Sequence, residues 1–558
     1  MKKYFVLVLF IPILFLKCSK ENYQMEFAGF VEKKLPILKE LIEKEALAFW
    51  NANATGEKKY FDELEKIELE IKKIYSNKED FEFLKKVKSS GKITDPLQKR
   101  ELTILYNNYA FNQIDSSLMK KIVSLSTEII KKFNNYRPKI DGIEKTDNQI
   151  LDILKEEKDS NLRKKAWEAS KQVGKVIEKD LLTLVKLRNE AARNLGYKNF
   201  YEMSMELSEQ NVDEVVNIFN KIKEYTDESF SIIKKEIDSK LAKRYSISLD
   251  NLRPWHYADP FFQNVPPVTE IDFDKYYKGK DVVKLTKEFY ESIGLDVEDI
   301  LKNSDLYERS GKYPHAFCID MNRNGDIRTM QNIRDNVQWM ETMLHELGHG
   351  VYSKYIDRSL PYFLRTESHL LTTEAIAQLM EREAKNPEWL KTKLNISDKE
   401  KNEIIKIIRE ESRKKALIFC RWSLVMLYFE KSLYENPDQN LNKLWWDLVE
   451  KFQYIKRPEN RDEPDYAAKI HLSQNPVYYH NYLLGEIMGA QLLNYIMKNI
   501  IKSNDYFSIT FYQKLEVGNY LKNEIFKPGS SLYWNDLIKK STGEYLNPKY
   551  YIEQYVNN

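Results

Sequence analysis

Several residue types are scarce in this chain of 558 residues, and each scarcity excludes something. Glycine and proline number 17 each, too few for an all-β protein that turns about every 8–12 residues. Three cysteines do not make a disulfide framework in a chain of this length. Hydrophobic residues make up 42% of the chain, which excludes global disorder. We therefore predict a folded, mostly α-helical protein.

An excess of one charge is also lacking. Lysine and arginine number 88, aspartate and glutamate 85, and the net charge is +3. A protein that binds nucleic acid through a broad surface carries a clear basic excess, because it must neutralise phosphates. We therefore expect no nucleic-acid partner.

Histidine is rare as well, and its distribution is uneven. All seven histidines lie between His256 and His480. Since imidazole binds metal ions and transfers protons near neutral pH, this clustering is the first indication of a functional site.

The start of the chain has the pattern of an export signal. A basic beginning is followed by an apolar run, Tyr4 to Leu16, that is too short to span a bilayer. Cys18 comes next and resembles the lipidation site of bacterial lipoproteins, although Lys17 stands where such signals have a small residue. We predict a signal peptide over residues 1–17 and a cell-envelope protein lipid-anchored at Cys18. The alternatives are an ordinary signal and a signal anchor.

The remainder of the chain reads as one unit. Apolar residues recur at helical spacing from about Phe27 to Leu252, and no long linker interrupts them. A β-leaning stretch at 313–330, with the turn pair Asn324-Gly325, predicts a hairpin. The helical pattern then resumes at Val337. We predict a single domain over residues 18–558, with a short sheet inside a helical protein.

The strongest motif is His-Glu-Leu-Gly-His at 345–349. Residues four apart lie on one face of a helix, so His345 and His349 can ligate one Zn²⁺. Glu346 is then placed to act as general base on the attacking water. The alternative is a helix with two surface or core histidines, but with seven histidines in 558 residues a chance match to this motif is unlikely.

A hydrolytic zinc site needs a third protein ligand and one open position. The extended motif with a third histidine fails, because tyrosines stand at 352 and 355. Downstream candidates are Glu367, His369 and Glu374. We choose Glu374, because a carboxylate that opens an apolar helix needs a partner. Gln378, one turn later, is predicted to hydrogen-bond a ligand histidine.

Separated segments resemble one family, the angiotensin-converting-enzyme-like peptidyl-dipeptidases, in a bacterial form. The matching segments are the zinc motif with Glu374-Ala375-Ile376, His315-Ala316, Asp259-Pro260-Phe261-Phe262-Gln263, Lys469-Ile470-His471, the pair Tyr479 and Tyr482, and more weakly Asn189-Glu190-Ala191-Ala192-Arg193. The resemblance thus extends from about residue 189 to 485.

The resemblance implies a role for each matching residue. Gln263, Lys469 and Tyr479 would hold the C-terminal carboxylate of the substrate, and all three side chains are suitable donors. His315 and the backbone of Ala316 would hold the substrate chain. His471 and Tyr482 would stabilise the transition state. The single metal ion would be Zn²⁺ on His345, His349 and Glu374.

The sequence also departs from the family pattern. The tyrosine pair lies one residue further from His471 than expected, so Tyr478 competes with Tyr479 for the same role. The longer spacing from His349 to Glu374 is also found in thimet-oligopeptidase-like enzymes. Asn481 stands where animal enzymes carry a chloride-binding arginine, which argues against chloride activation.

Together these features predict two helical lobes around a deep substrate cleft, with a short β-sheet beside the zinc-binding helix. The predicted reaction is zinc-dependent hydrolysis of short peptides, with release of C-terminal dipeptides. The alternatives are a thimet-oligopeptidase-like zinc endopeptidase and, in a different class, a catalytically inactive surface-binding lipoprotein. An enzyme that has lost its activity need not keep its general base, so the presence of Glu346 argues against the inactive lipoprotein.

Overall fold

A computed structural model describes residues 22–266, 271–313 and 315–556 of the chain. The predicted signal peptide and Cys18 lie outside the described residues. The structure contains twenty-two α-helices and four short strands in these ranges. The prediction of a mostly α protein is confirmed.

The elements of the first part of the chain are α1 (Tyr23–Thr55), α2 (Lys58–Tyr75), α3 (Lys78–Ser90), α4 (Pro96–Phe111), α5 (Ser116–Asn135), β1 (Lys139–Ile140), β2 (Ile143–Glu144), α6 (Asp147–Glu156), α7 (Ser160–Asn194), α8 (Phe200–Leu207), α9 (Val212–Tyr245), α10 (Asp274–Tyr277), α11 (Val282–Ser292) and α12 (Glu298–Asn303). Those of the second part are β3 (Phe317–Asp320), β4 (Ile327–Met330), α13 (Val337–Lys354), α14 (Leu370–Glu381), α15 (Pro387–Leu394), α16 (Asp398–Glu435), α17 (Leu441–Gln453), α18 (His471–Gln474), α19 (His480–Tyr495), α20 (Leu515–Tyr520), α21 (Trp534–Thr542) and α22 (Lys549–Tyr555).

Local sequence explains where many helices begin. Asparagine, aspartate, serine or threonine precedes most of the long helices and accepts a hydrogen bond from a backbone N–H of the first turn, as Asn22 does for α1 and Asp95 for α4. Ser397 and Glu400 form a capping box at the start of α16. These caps satisfy donors that the helix itself leaves unpaired.

The two sheets are both antiparallel hairpins. The predicted hairpin is confirmed, with Phe317 opposite Met330 and Asp320 opposite Ile327. The second hairpin, β1 with β2, was not predicted. Its turn residues Asp141 and Gly142 both have positive φ, 51° and 83°, and an Asp-Gly pair is a known signal for such a turn.

The buried side chains form one large cluster and several smaller ones. The large cluster extends from Ile129 to Ile552 and includes the helices that carry the metal-binding motif. A separate cluster contains buried residues of the four helices α1, α2, α3 and α4, together with Tyr362 and Phe363. No helix in the described part of the chain combines the length and apolarity needed to cross a membrane.

Three helices position the predicted metal site. Helix α13 packs along α14, and α14 packs along α19. A cavity of about 630 Å³ adjoins them and is lined in part by Glu374, Gln378 and Glu486. The arrangement of two lobes around a deep cleft, and the single domain over 18–558, stay predictions.

Candidate metal centre and active site

The predicted metal ligands come together. His345 and His349 project from successive turns of α13, and Glu374 projects from α14. The two Nε2 atoms are 3.2 Å apart. The Glu374 carboxylate oxygens lie 3.9 Å from the His345 Nε2 and 3.7 Å from the His349 Nε2. Among the described residues, these three are the group whose ligand atoms lie within 4.8 Å of one another.

Close helix packing makes this approach possible. A Cβ atom on Gly348 would lie 2.9 Å from the Ala377 Cα, so any larger residue would push α13 away from α14. On the other side, a Cβ on Gly485 of α19 would come within 3.4 Å of the Glu374 Cγ. Gly348 is therefore required for the close approach of α13 to α14, whereas a Cβ at Gly485 would make only ordinary contacts.

The partners of the ligand histidines differ in part from the prediction. The His345 Nδ1 is 2.9 Å from the Glu381 Oε2, and the His349 Nδ1 is 2.8 Å from the Thr373 Oγ1. A carboxylate can only accept, so the His345 Nδ1 carries the proton and the Nε2 is free to ligate. Gln378 instead donates to the Glu374 Oε1 at 3.1 Å. The predicted contact of Gln378 with a histidine was wrong, because its amide reaches back one turn along its own helix.

The donor set fits zinc. Two ligands at ordinary zinc distances and tetrahedral angles are about 3.3 Å apart, close to the separation of the two Nε2 atoms. Two nitrogens and one carboxylate leave a fourth position open, as in catalytic sites. Glu367 is not part of this group.

Glu346 lies beside the triad in a protected position. It is 8% exposed, and burial raises the pKa of its carboxyl to about 7. A base is most effective when its pKa lies near the working pH. The position suits a general base.

Lys469 and Gln263, which are far apart in sequence, also come together. The Lys469 Nζ donates to the Gln263 Oε1 at 3.0 Å. It also lies 5.1–5.3 Å from the ring centres of Phe261, Trp422 and Tyr479. Burial lowers the pKa of this ammonium to about 8.

One residue that the sequence reasoning missed shapes this pocket. The Asp259 carboxylate accepts hydrogen bonds from the backbone N–H groups of Phe261, Gln263 and Asn264. These bonds fold the segment into a tight turn that presents Gln263. An aspartate ahead of a proline is a common turn signal and could have identified it.

The two predicted tyrosines lie against His471. The ring of His471 is 5.1 Å from that of Tyr479 and 6.5 Å from that of Tyr482. The Tyr479 Oη accepts a hydrogen bond of 2.7 Å from the Trp422 Nε1. Tyr478 packs on Tyr482 instead, so the geometry favours Tyr479 over Tyr478 as the neighbour of Lys469.

His315 and Ala316 precede strand β3. His315 is exposed, and its ring packs on Tyr313 at 5.2 Å. Strand β3 pairs with β4 on one side, while Asp305 hydrogen-bonds along the far side of β4. The opposite edge of β3 does not pair with β4, and Ala316 directly precedes its first residue. The substrate contacts assigned to these two residues stay predictions.

The remaining three histidines hydrogen-bond to other parts of the protein. His256 contacts Ser160, His369 caps the start of α14, and His480 contacts Gln210. Asn481 also accepts from Gln210. These contacts give the three histidines structural roles, and His369 is not part of the metal-ligand group.

Comparison with known proteins decides the family. The sequence profile of peptidase family M3 matches residues 153–557. The chain belongs to peptidase family M3. This M3 peptidase carries the metal triad and Glu346 inside the matched region. Together with the curated relatives described next, the match confirms the resemblance to the angiotensin-converting-enzyme-like zinc metallopeptidases. Its bacterial origin stays a prediction.

Several curated proteins to which this M3 peptidase is similar are angiotensin-converting enzymes. That of the leech Theromyzon tessulatum is 22% identical over 484 residues, which cover 81% of this chain and 78% of that protein. That of Mus musculus is 25% identical over 305 residues, 52% of this chain and 23% of that protein. That of Bos taurus is 22% identical over 432 residues, which cover 71% of this chain and 32% of that protein. The chain spans most of the leech protein but less than a third of these two mammalian ones.

Proposed function

We propose that this zinc metallopeptidase releases dipeptides from the free C-terminus of short peptides. The observation that supports this most is Lys469, an ammonium that is 9% exposed. Among the described residues it forms no ion pair, and its hydrogen bond goes to the neutral Gln263. The Asp259 carboxylate attracts this ammonium without contacting it, and a buried cation that lacks a directly bound anion is costly. A substrate carboxylate fits that requirement.

The position of this cation supports cleavage near the C-terminus. The ring of Tyr479 lies 5.1 Å from the Lys469 Nζ and 5.2 Å from the ring of Tyr482. Burial raises the pKa of Tyr482, and the nearby Glu374 carboxylate adds to this rise. The tyrosine pair thus links the cation to the metal ligands. The length of two residues for the released fragment rests on the resemblance to the peptidyl-dipeptidases.

The residues of this chain have separate parts in the reaction. A bound Zn²⁺ supplies a Lewis acid that polarises the scissile carbonyl and makes water more acidic. Glu346 takes a proton from the attacking water and delivers it to the departing amine. Lys469 and Gln263 hold the C-terminal carboxylate, which fixes the scissile bond in place before the attack.

His471 and Tyr482 stabilise the negative charge that develops on the carbonyl oxygen. Burial and the charge of Lys469 lower the pKa of His471 to about 4, so the ring is neutral at pH 7 and donates one N–H. Its Nδ1 is buried and has no hydrogen-bond partner among the described residues. The Tyr482 hydroxyl keeps its proton, because burial raises its pKa, and it donates the second hydrogen bond.

The free edge of β3 supports an extended substrate. In an antiparallel pair, alternate residues direct their backbone groups away from the partner strand. A peptide that pairs with such an edge gains main-chain hydrogen bonds. Ala316 and His315, at the start of this edge, would then hold the residues before the scissile bond.

Two other functions remain as alternatives. A thimet-oligopeptidase-like endopeptidase would cut inside a peptide without requiring a terminal carboxylate, and the spacing to Glu374 also fits that group. A catalytically inactive binding protein would not need Glu346. The buried Lys469 favours the proposed function over both.

Amidation of the substrate separates these functions. One peptide is prepared with a free C-terminus and with an amide, and kcat/KM is measured for each with zinc present and after chelation. We expect the amide to be cleaved at least about tenfold more slowly, because one charge-assisted contact is lost. Equal cleavage would favour the endopeptidase, and no zinc-dependent cleavage of either would favour the inactive binding protein.

The leader supports a proposal about location. We propose that residues 1–17 are removed on export and that Cys18 is acylated, which anchors the protein to the cell envelope. Mass spectrometry of the mature protein tests this. An acylated N-terminal Cys18 is expected, and an unmodified peptide spanning Lys17 and Cys18 would contradict it.

A further inference from the structure

One short segment carries three of the residues assigned to substrate and transition state. His471 begins α18, and Tyr479 and Tyr482 lie at the start of α19. Between them the chain reverses through residues 475–478. The shape of this connection therefore decides how the three side chains stand relative to one another.

The connection contains an unfavourable backbone conformation. Val477 has a φ of +55°. A β-branched residue in this left-handed region is a genuine outlier, and such outliers persist only where the surroundings hold them. Pro476 precedes it and has no N–H to donate.

A buried carboxylate holds Val477. The Glu430 Oε1, on α16, accepts a hydrogen bond of 2.7 Å from the Val477 backbone N–H. Glu430 is 3% exposed. This hydrogen bond ties the turn to α16 from one side.

A buried guanidinium holds the beginning of the same segment. Arg188, on α7, donates to the backbone oxygens of Ser473 at 2.7 Å and Leu472 at 3.4 Å, and to the Tyr434 Oη. The next residue, Asn189, donates to the Tyr434 backbone oxygen. Arg188 directly precedes the weakly matching segment of the helical region, for which no role had been assigned.

We propose that Glu430 and Arg188 are positioning residues that set the distance and orientation of His471, Tyr479 and Tyr482. The proposal rests on the proposed function, because it concerns the roles given there to these three side chains. Neither Glu430 nor Arg188 needs to touch the substrate. They act from two different helices on both ends of the connection that carries the three residues.

The test compares two substitutions of Glu430. Glu430→Gln keeps an oxygen that accepts from Val477, whereas Glu430→Leu keeps a similar volume and removes the acceptor. We expect kcat/KM of Glu430→Leu to fall at least about tenfold, since small displacements of oriented groups reduce rates strongly, and Glu430→Gln to stay within about threefold. Bound zinc should be unchanged in both, because the metal ligands lie on other helices.

A second substitution distinguishes positioning from general destabilisation. Glycine adopts positive φ without strain, so Val477→Gly in the Glu430→Leu background should restore part of the lost kcat/KM. Glu101→Leu is the control, because Glu101 is 5% exposed and lies on α4, away from the connection. It removes a buried carboxyl outside the connection, so kcat/KM per folded molecule should stay unchanged whatever the change in unfolding temperature.

Each outcome decides the proposal. Wild-type kcat/KM in Glu430→Leu would overturn it, as would equal losses in the Gln and Leu variants. If Glu430→Leu does not fold, Arg188→Met takes its place, because it removes the donors to Ser473 and Leu472; its kcat/KM should fall, and wild-type kcat/KM in this variant would overturn the proposal. If the wild type cleaves no peptide, the proposed function fails first, and this result is distinct from an active wild type that is insensitive to Glu430.

Discussion

Substitution of Lys469 is the most direct single test of carboxylate recognition. Replacing it with methionine removes the charge and keeps an unbranched side chain of similar length. The new side chain stays among the rings of Phe261, Trp422 and Tyr479, which are apolar neighbours for a thioether. The pocket should therefore keep its shape while losing the ammonium.

The size of the effect follows from the surroundings of the ammonium. It is buried, and its hydrogen bond goes to Gln263. A hydrogen bond to a charged group contributes about 1.5–3 kcal/mol, which corresponds to about 10–150-fold in kcat/KM. Lys469→Met should lower kcat/KM for a free-acid peptide by this factor. It should change kcat/KM for the amidated peptide little, because that substrate has no terminal carboxylate to bind.

The assay is a double-mutant cycle between protein and substrate. Four values of kcat/KM are measured, for wild type and Lys469→Met, each with the free acid and the amide. Lys171→Met is the matched control. Lys171 is 3% exposed, and its Nζ lies 3.2 Å from the ring centre of the same Phe261. The two lysines differ in that the hydrogen bond to Gln263 comes from Lys469.

Two results would refute the reasoning. If Lys469→Met loses the same factor on both peptides, the ammonium does not recognise the carboxylate. If Lys171→Met removes the preference for the free acid as fully as Lys469→Met does, the effect comes from damage to the aromatic pocket. The expected result is a preference that disappears only in Lys469→Met.

Three further outcomes are expected. Because the pKa of Lys469 is lowered to about 8, its charge is present below that pH and lost above it. The kcat/KM for free-acid peptides should therefore fall as pH rises through about 8, and a parallel fall for the amide would contradict this. Glu346→Gln should keep bound zinc and lose about 10²–10⁴-fold in kcat, and turnover near that of the wild type would refute its role as base. Glu381→Gln should weaken zinc affinity about 10–100-fold in chelator competition, because the acceptor of the His345 Nδ1–H loses its negative charge, and unchanged affinity would show that this charge does not matter.

The sequence was sufficient where the pattern is local. Helical periodicity predicted the helix that carries His345 and His349, and the pair Asn324-Gly325 predicted the hairpin. The third ligand, Glu374, followed from the chemistry of a buried carboxylate. In each case neighbouring residues along the chain contain the information.

The rest depends on contacts between distant segments. Glu381 lies beyond Gln378 on the same helix, and only the crossing of α13 over α14 decides that Glu381, not Gln378, reaches His345. The bond from Lys469 to Gln263 joins residues 206 positions apart. The resemblance, not the spacing, was needed to select that pair from the sequence.

The most direct measurement is a map of cleavage positions in unmodified peptides of several lengths, read by mass spectrometry over time. Dipeptides should appear first from the free C-terminus, the remaining peptide should shorten two residues at a time, and a chelator should stop the reaction. Internal cleavage at positions independent of the distance to the C-terminus would contradict dipeptide release.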